Sequence, residues 1–337
     1  MPLVLILGLG NFGYAILKHL DRYKSADYTI AAFDRNPEVM EKLRKSGRHA
    51  RIRPRHRISS KIVLPTSLEE IFPKVDILIL AVTAASVTEV MSNLNVLRSV
   101  KKKLVIINTA KALAPKTGER LETIIKKHFL QPFSYVYLAG GTIAEDLFNS
   151  YPLGATIASE NLQSLRVTEK LLASPNFRLY PTKDVAGTEY CAAFKNVVSI
   201  FAGIISGLGW PYGSETYFIS RFSREVEQFV IKELKGRPTT FGMDSQCWGN
   251  DLWMSCTGNT RNRQLGYLIG KGKSVSKAIV KMKKEKKAVE GLTTINVLPK
   301  LSPHLNNYPF LNLMYQIIIK GKPVEETIQR LIEDKVF

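Results

Sequence analysis

The 337-residue sequence has few cysteines and no sign of export. Cys191, Cys247 and Cys256 are odd in number and lack the paired spacing of a metal site or a disulfide framework, so we expect no metal ion and a reducing, cytoplasmic compartment. The apolar start has no basic segment or small-residue cleavage site, which argues against a signal peptide. No apolar run reaches the ~20 residues of a membrane span, so we expect none.

Acidic residues are also scarce, 29 against 48 lysines and arginines, for a formal net charge of +19. This excess fits an anionic small substrate, a nucleic acid or a generally basic proteome. It concentrates in residues 44–61 and 277–287. The second run has helical spacing, which favours a solvated helix face over a binding patch. The first lacks interleaved aromatic residues and any nucleic-acid-binding fold pattern, so nucleic acid is not the expected partner.

The pattern of apolar residues changes along the chain, and the length favours two domains. In the first half, short apolar runs alternate with helical patterns, which predicts a doubly wound, mostly parallel sheet of the α/β class. We expect its strands at residues 3–7, 28–34, 75–82, 103–110, 134–141 and 154–159. Later stretches are long and helical, at residues 187–209, 214–235, 263–270, 275–288 and 308–332. The sequence therefore predicts a Rossmann-type domain over residues 1–183 and an all-α domain over residues 184–337.

Three glycines between the first strand and the first helix have the spacing of a dinucleotide-binding turn. Gly8 permits the tight turn, Gly10 lets a pyrophosphate approach the backbone, and Gly13 lets helix and strand pack closely. Asp34 follows the second strand, where a carboxylate binds a ribose hydroxyl and repels a 2′-phosphate. Arg35 beside it can instead receive that phosphate. NAD is therefore favoured modestly over NADP.

Lys195 lies in the middle of the apolar stretch of residues 187–209. Its neighbours at helical spacing are mostly small: Thr188, Cys191, Ala192, Val198, Ser199 and Ala202. Such a stripe leaves room for a ligand against the ammonium, and a desolvated lysine suits acid–base chemistry. The alternative is a packed stem whose ammonium extends to water. Periodicity alone does not separate the two; Asn196 beside it and a second polar cluster favour function.

That second cluster lies in residues 249–266. Asp251 can hydrogen-bond a lysine ammonium, while Arg261, Asn262 and Arg263 offer donors at the start of a helix. The alternative for the two arginines is ordinary surface charge. Lys111 follows a predicted strand, at the carboxyl edge where doubly wound sheets bind ligands.

These motifs resemble those of NAD(P)-dependent glycerol-3-phosphate dehydrogenase, in the same order over nearly the whole chain. They read GLGNFG, NTAKAL, AGGTIAEDL, DVAGTEYCAAFKNVVSIFAGIISGLG, NDLWMSCTGNTRNRQLG and VEGLTTINVL. The resemblance implies a Rossmann domain followed by a helical substrate domain, often as a homodimer. It also implies the interconversion of sn-glycerol 3-phosphate, a small phosphorylated substrate, and dihydroxyacetone phosphate, which would supply the glycerophospholipid backbone.

The resemblance assigns roles by position. Lys195 would be the general acid/base, helped by Lys111, Asn196 and Asp251. Substrate contacts would come from Ser255, Arg261 and Asn262. Cofactor contacts would come from Gly8, Gly10, Asn11, Phe12, Gly13, Asp34, Arg35, Lys111, Ala144, Arg261 and Glu290.

Several loops depart from the family pattern. This chain has Gly140-Gly141-Thr142 for Gly-Pro-Ser, Thr83 for a proline, Glu215 for a lysine, and residues 243–250 for a shorter segment. The basic run of residues 44–61 replaces an Asn…Arg…Tyr-Leu-Pro segment. Two alternatives therefore stay open. One is a diverged paralogue that reduces another small phosphorylated or carboxylated ketone, and the other is a cofactor-binding protein without turnover.

Overall fold

The computed structural model describes residues 1–52, 56–97, 103–285 and 287–333. Residues 53–55 and 286, which belong to the two basic runs, and residues 98–102 and 334–337 lie outside this part. The chain forms two compact units. One contains Met1–Ala110 and Leu121–Val185, and the other contains Lys111–Arg120 and Ala186–Phe337. The domain boundary that we predict between residues 183 and 184 stays a prediction.

A seven-stranded sheet forms the centre of the first unit. Its strands are β1 (Leu3–Leu7), β2 (Thr29–Phe33), β3 (Ile77–Leu80), β4 (Leu104–Asn108), β5 (Phe133–Ala139), β6 (Leu153–Ala158) and β7 (Phe177–Thr182). The order is β2-β1-β3-β4-β5-β6-β7, and every pair is parallel except β5 with β6. The predicted α/β class and Rossmann-type winding are confirmed. β7 was not predicted; it is a sheet edge that alternates buried and exposed residues around Pro181, so it lacks the continuous apolar run of a central strand.

Helices and short turns connect these strands. They are α1 (Asn11–Tyr23), α2 (Pro37–Ser46), α3 (Leu68–Ile71), α4 (Val87–Leu97), α5 (Leu121–His128), α6 (Ala144–Asn149) and α7 (Leu162–Leu172), with 3-10 turns at Phe72–Lys74 and Ala84–Ser86. The central strands are apolar on both faces because helices cover both; Leu5 and Ile6 of β1 are fully buried. The carboxyl ends of β1 and β3 meet where the strand order reverses, the usual ligand position in such sheets.

The second unit contains helices but no strand among its described residues. Its helices are α8 (Val185–Leu208, which begins at the last residue of the first unit), α9 (Tyr212–Leu234), α10 (Asp251–Thr257), α11 (Arg261–Gly270), α12 (Val275–Lys284), α13 (Glu290–Leu301), α14 (Pro309–Ile318) and α15 (Val324–Glu333). Short turns lie at Pro238–Phe241, Gln246–Asn250 and Leu305–Asn307. The predicted all-α character of this region is confirmed.

One helical prediction was wrong in detail. Residues 308–332 form two helices, α14 and α15, because Gly321 has a left-handed backbone (φ 69°) and Pro323 lacks the N–H of a continuing helix. Residues 277–284 of the second basic run are helical as predicted: Lys277, Lys281 and Lys284 of α12 are exposed, while Ala278 and Met282 on its other face are buried.

The long helix α8 is the core of the second unit. By length and composition alone it could cross a membrane, with a mean hydropathy of 1.6. However, 89% of that apolar window is buried inside the protein, which is typical of a core helix. Phe194, Phe201 and Ile204 are fully buried, and Phe201 makes edge-on contacts with Phe218 and Phe222 of α9.

α8 and α11 pack backbone against backbone. Gly203 and Gly207 of α8 and Gly266 and Gly270 of α11 occur at four-residue spacing, which places each pair on one helix face. A Cβ atom on Gly266 would lie 1.9 Å from the carbonyl oxygen of Ile200, and one on Gly203 would lie 2.1 Å from that of Arg263. No larger residue fits at these positions, so the glycines set the distance between the two helices.

Candidate active site

Two lysines of the second unit share one buried carboxylate. The Lys195 Nζ atom of α8 lies 3.0 Å from Oδ1 of Asp251, and the Lys111 Nζ atom lies 3.2 Å from Oδ2. Asp251 is fully buried, while the side chains of Lys195 and Lys111 keep 8% and 17% of their surface exposed. Two basic groups therefore face one acid in a confined space, which suits an anionic ligand.

The backbone before α10 places Asp251. Residues Gln246–Asn250 form a single π-type turn, a feature often found at functional sites, and Asp251 is the first residue of the α-helix that follows. Gly249 allows this turn because a Cβ atom there would lie 2.1 Å from the carbonyl oxygen of Met243. The carboxylate of Asp251 therefore belongs to the first residue of α10, directly after a tightly folded segment.

Ser255 completes the surroundings of the Lys195 ammonium. The ammonium donates a hydrogen bond to the Ser255 hydroxyl at 2.8 Å. The carbonyl oxygen of Ser255 accepts from the hydroxyls of Ser199 at 2.6 Å and Thr260 at 2.9 Å. Ser199 lies one helical turn after Lys195, so two residues on the same face of α8 hydrogen-bond to Ser255 of α10. The third Lys195 N–H has no partner among the described residues and can donate to a ligand.

A chain of amides runs beside this cluster. Asn262 Nδ2 donates to Oδ1 of Asn196 at 2.9 Å, and Asn262 Oδ1 accepts from the Gly291 backbone N–H at 3.1 Å. Asn196 Nδ2 donates to Ala192 O at 3.3 Å and reaches Glu290 Oε2 at 3.4 Å. Three helices, α8, α11 and α13, are thereby tied together around the residue next to Lys195.

Burial perturbs two groups in this region. It lowers the pKa of Lys111, and the neighbouring Lys195 charge lowers it further, while Asp251 acts in the opposite direction. Burial raises the pKa of the Cys256 thiol to about 12. Cys256 therefore stays protonated near neutral pH and is not a nucleophile. All three cysteines are buried, and none of them forms a disulfide.

The two arginines at the start of α11 differ in their contacts. Arg261 is exposed and has no hydrogen bond or ion pair among the described residues, so its phosphate-binding role stays a prediction. Arg263 instead forms a 2.6 Å ion pair with the buried Glu215 of α9 and donates to Ser206. A cleft of about 510 Å³ lies beside Arg263, between α11 and α12, away from the Lys195–Asp251 contact.

The glycine turn of the first unit has the geometry of a dinucleotide cradle. Gly8 adopts φ +94°, and a Cβ atom on it would lie 2.7 Å from Ala81 O. A Cβ atom on Gly13 would lie 2.0 Å from Gly8 O, so the turn and α1 pack directly together. At Gly10 a Cβ atom would meet nothing within 4 Å. Gly10 is thus not required by the protein's own packing, and its open space faces the helix start where a pyrophosphate binds.

Asp34 also has a structural role that was not predicted from the sequence. Its carboxylate accepts the backbone N–H groups of Leu9 at 2.7 Å and Asn36 at 2.8 Å, so it also shapes the glycine turn. Each oxygen keeps a second lone pair for a ribose hydroxyl. Arg35 and Asn11 are exposed, whereas Phe12 and Ala144 pack against the core of this unit.

Ser199 and Thr260, which support Ser255, were not among the predicted site residues. Thr260 was visible as a helix N-cap, since its hydroxyl accepts the Arg263 N–H at the start of α11. The described residues contain no group of three or more His, Cys, Asp or Glu side chains that could hold a metal ion.

Two family models cover most of the chain. The model of the N-terminal domain of NAD-dependent glycerol-3-phosphate dehydrogenase matches residues 3–165, and that of its C-terminal domain matches residues 184–329. A glycerol-3-phosphate dehydrogenase [NAD(P)+] from Thermoanaerobacter sp. (strain X514) is 30% identical over 98% of this chain and 97% of its own length. One from Clostridium botulinum (strain Eklund 17B / Type B) is 27% identical over the whole of both chains.

Solved structures show the same fold. The glycerol-3-phosphate dehydrogenase from Coxiella burnetii superposes with a TM-score of 0.85 at 23% identity, covering 98% of this chain and 99% of that one. The enzyme from Plasmodium falciparum gives a TM-score of 0.88 at 18% identity, covering 98% and 94%.

Proposed function

The chain belongs to the NAD-dependent glycerol-3-phosphate dehydrogenase family, and we propose that it interconverts sn-glycerol 3-phosphate and dihydroxyacetone phosphate with NAD or NADP. The observation that carries this proposal is the carboxylate of Asp251, shared by Lys195 and Lys111. An ammonium held beside a developing alkoxide stabilises its charge and supplies its proton, which is the chemistry that ketone reduction requires.

Lys195 is the proposed general acid/base. Asp251 and Ser255 accept two of its three N–H groups and so fix the direction of the third. In ketone reduction the ammonium donates its proton to the oxygen on the central carbon of the substrate. In alcohol oxidation the neutral amine removes that proton.

Lys111 and the start of α11 are proposed to hold the substrate. The Lys111 ammonium adds a second positive charge next to Asp251, at 3.2 Å from its Oδ2 atom. The exposed guanidinium of Arg261 and the backbone N–H groups at the start of α11 suit phosphate oxygens. Asn262 reaches Asn196 from the same helix turn and keeps this end of α11 fixed on α8.

The open space at Gly10 and the tight packing at Gly8 and Gly13 support dinucleotide binding at the glycine turn. When bound, the nicotinamide supplies or accepts the hydride of the central substrate carbon. Asp34 keeps lone pairs for a ribose hydroxyl, which supports a modest preference for NAD, while Arg35 leaves NADP open. We propose that the remaining contacts to the cofactor come from Asn11, Phe12, Ala144, Glu290, Lys111 and Arg261.

The setting of the enzyme is also proposed. The three buried cysteines form no disulfide, which supports a reducing compartment, and we place the protein in the cytoplasm as a homodimer that supplies glycerophospholipid precursors. Light scattering after size exclusion tests the dimer. The exposed lysines of α12 support a solvated basic face, so we do not propose nucleic acid as a partner.

A substrate panel tests the proposal against the diverged-paralogue alternative. Purified protein is assayed for NADH and NADPH oxidation with dihydroxyacetone phosphate, with dihydroxyacetone, and with other phosphorylated or carboxylated ketones. We expect the highest kcat/KM with dihydroxyacetone phosphate and a large loss without the phosphate. A higher kcat/KM for another ketone would assign the altered loops to a different substrate, and turnover with none would support a binding protein.

A further inference from the structure

Lys111 reaches the site from a ten-residue segment with an unusual position in the fold. Residues Lys111–Arg120, which we call the strap, follow β4 and precede α5, both of which belong to the first unit. The strap itself belongs to the second unit. The backbone around Lys111 is thus supported by residues of the unit that contains Lys195.

The strap is closed on itself and anchored along its length. The Gly118 N–H donates to Ala114 O and the Ala114 N–H donates to Glu119 O, both at 2.9 Å. Gly118 has φ +76° and packs so closely on α13 that a Cβ atom would lie 3.1 Å from Val297. Lys300 of α13 also donates to Lys116 O at 2.6 Å. These contacts fix the middle of the strap on α13.

The far end of the strap is attached to α8. Nη1 of Arg120 lies 3.3 Å from Oε2 of Glu189, whose side chain is only 3% exposed. Glu189 lies six residues before Lys195 on the same helix. The contacts therefore form a closed circuit: from α8 through Lys195 to Asp251, then through Lys111 and the strap to Arg120, and back to α8 at Glu189.

We infer that Arg120 and Glu189 are positioning residues for Lys111, and that their ion pair fixes the strap on the helix that carries Lys195. This inference rests on the proposed function for its activity readout. A lysine has a long flexible stem, so its ammonium is placed reproducibly only if its backbone is fixed. The side chain of Glu189 is almost fully buried, so breaking its ion pair with Arg120 would cost free energy, which keeps the pair closed.

A double-mutant cycle tests this role. Arg120→Met should lower kcat/KM by roughly tenfold to a hundredfold, the range expected when a substrate-positioning group shifts by about 1 Å. Arg120→Lys should recover much of the loss. In a Lys111→Met background, Arg120→Met should change kcat/KM little further, because its effect passes through Lys111. Arg224→Met, which removes the ion pair of an exposed arginine with Glu227 on α9, is the matched control and should leave activity unchanged.

A loss of equal size in both backgrounds would overturn the inference, as would full activity of Arg120→Met. Should Arg120→Met fail to fold, Glu189→Gln removes the charge at nearly constant shape and takes its place in the cycle.

A second readout is independent of turnover and separates this inference from the proposed function. Acylation of Lys111 by a small anhydride is followed against pH by peptide mass spectrometry. Burial holds the pKa of Lys111 low, so releasing the strap should raise the pKa of Lys111 in Arg120→Met. An unchanged pH profile of Lys111 would overturn the inference, whatever substrate the wild-type protein uses.

Discussion

Gly266→Ala tests the contact between α8 and α11, because the new side chain must force these two helices of the candidate active site apart. The new Cβ atom would lie 1.9 Å from Ile200 O and 2.9 Å from Ile204 N, all backbone atoms of α8. Ordinary contact begins near 3.4 Å, so α11 must move by about 1.5 Å. Overpacking of this kind costs about 1–3 kcal/mol, and a rigid backbone clash belongs at the upper end. The better helix propensity of alanine offsets about 1 kcal/mol.

We therefore expect a net destabilisation of about 2 kcal/mol, or a fall in Tm of roughly 4–8 °C for a unit of this size, measured by far-UV circular dichroism. The same shift would stretch the 2.9 Å bond between Asn262 and Asn196 and displace Arg261, so kcat/KM should fall by about a hundredfold. Gly213→Ala on α9 is the matched control, because its Cβ atom meets nothing within 4 Å. Wild-type Tm and kcat/KM in Gly266→Ala would refute the close packing of α8 and α11.

Three further substitutions test the glycine turn, the role of Asp34 and the buried carboxyl of Glu225. Gly10→Ala should leave Tm unchanged but raise the Kd of the dinucleotide roughly tenfold or more, because its Cβ atom would enter the open space where we propose that the pyrophosphate binds. A calorimetric Kd equal to wild type would contradict this. Asp34→Ala should weaken NADH more than NADPH, and equal losses in fluorescence titrations would mean that Asp34 does not contact the ribose. Burial raises the pKa of Glu225 from 4.5 to about 7, so the folded state binds the proton more tightly and stability should fall by about 3 kcal/mol as pH rises through that window. Glu225→Gln should remove this slope in urea denaturation, and an unchanged slope would show that another group titrates.

The parts of the fold that could be predicted from sequence depend on local patterns. The glycine turn, its strand and its helix lie within about 20 residues, so sterics and hydrogen bonding along the chain determine them. The six apolar strands were visible because they are buried on both faces. β7 was missed because its outer face is exposed, and the break at Gly321 was missed because an apolar pattern continues on both sides of it.

The candidate site was predictable only in part. The sequence offers Asp251 as a hydrogen-bond partner for a lysine ammonium, and the structure pairs it with Lys195, 56 residues away. Lys111 is 140 residues from Asp251 and contacts the other oxygen of that carboxylate. This contact depends on the path of the strap, which no local sequence pattern encodes. Arg120 and Glu189 were overlooked for the same reason. The paired glycines of α8 and α11 were visible at four-residue spacing, but only the structure shows that they face each other.

The proposed mechanism depends above all on Lys195 as the proton-transfer group, and one comparison of variants tests this role. Oxidation of NADH and NADPH with dihydroxyacetone phosphate is compared between the wild-type protein and Lys195→Met, with the Kd of the cofactor measured for both. Lys126→Met, which alters an exposed lysine on α5, serves as the control. We predict substrate-dependent oxidation in the wild type and the control, near-complete loss in Lys195→Met, and an unchanged Kd. Substantial residual kcat in Lys195→Met would contradict the assignment of Lys195 as the proton-transfer group.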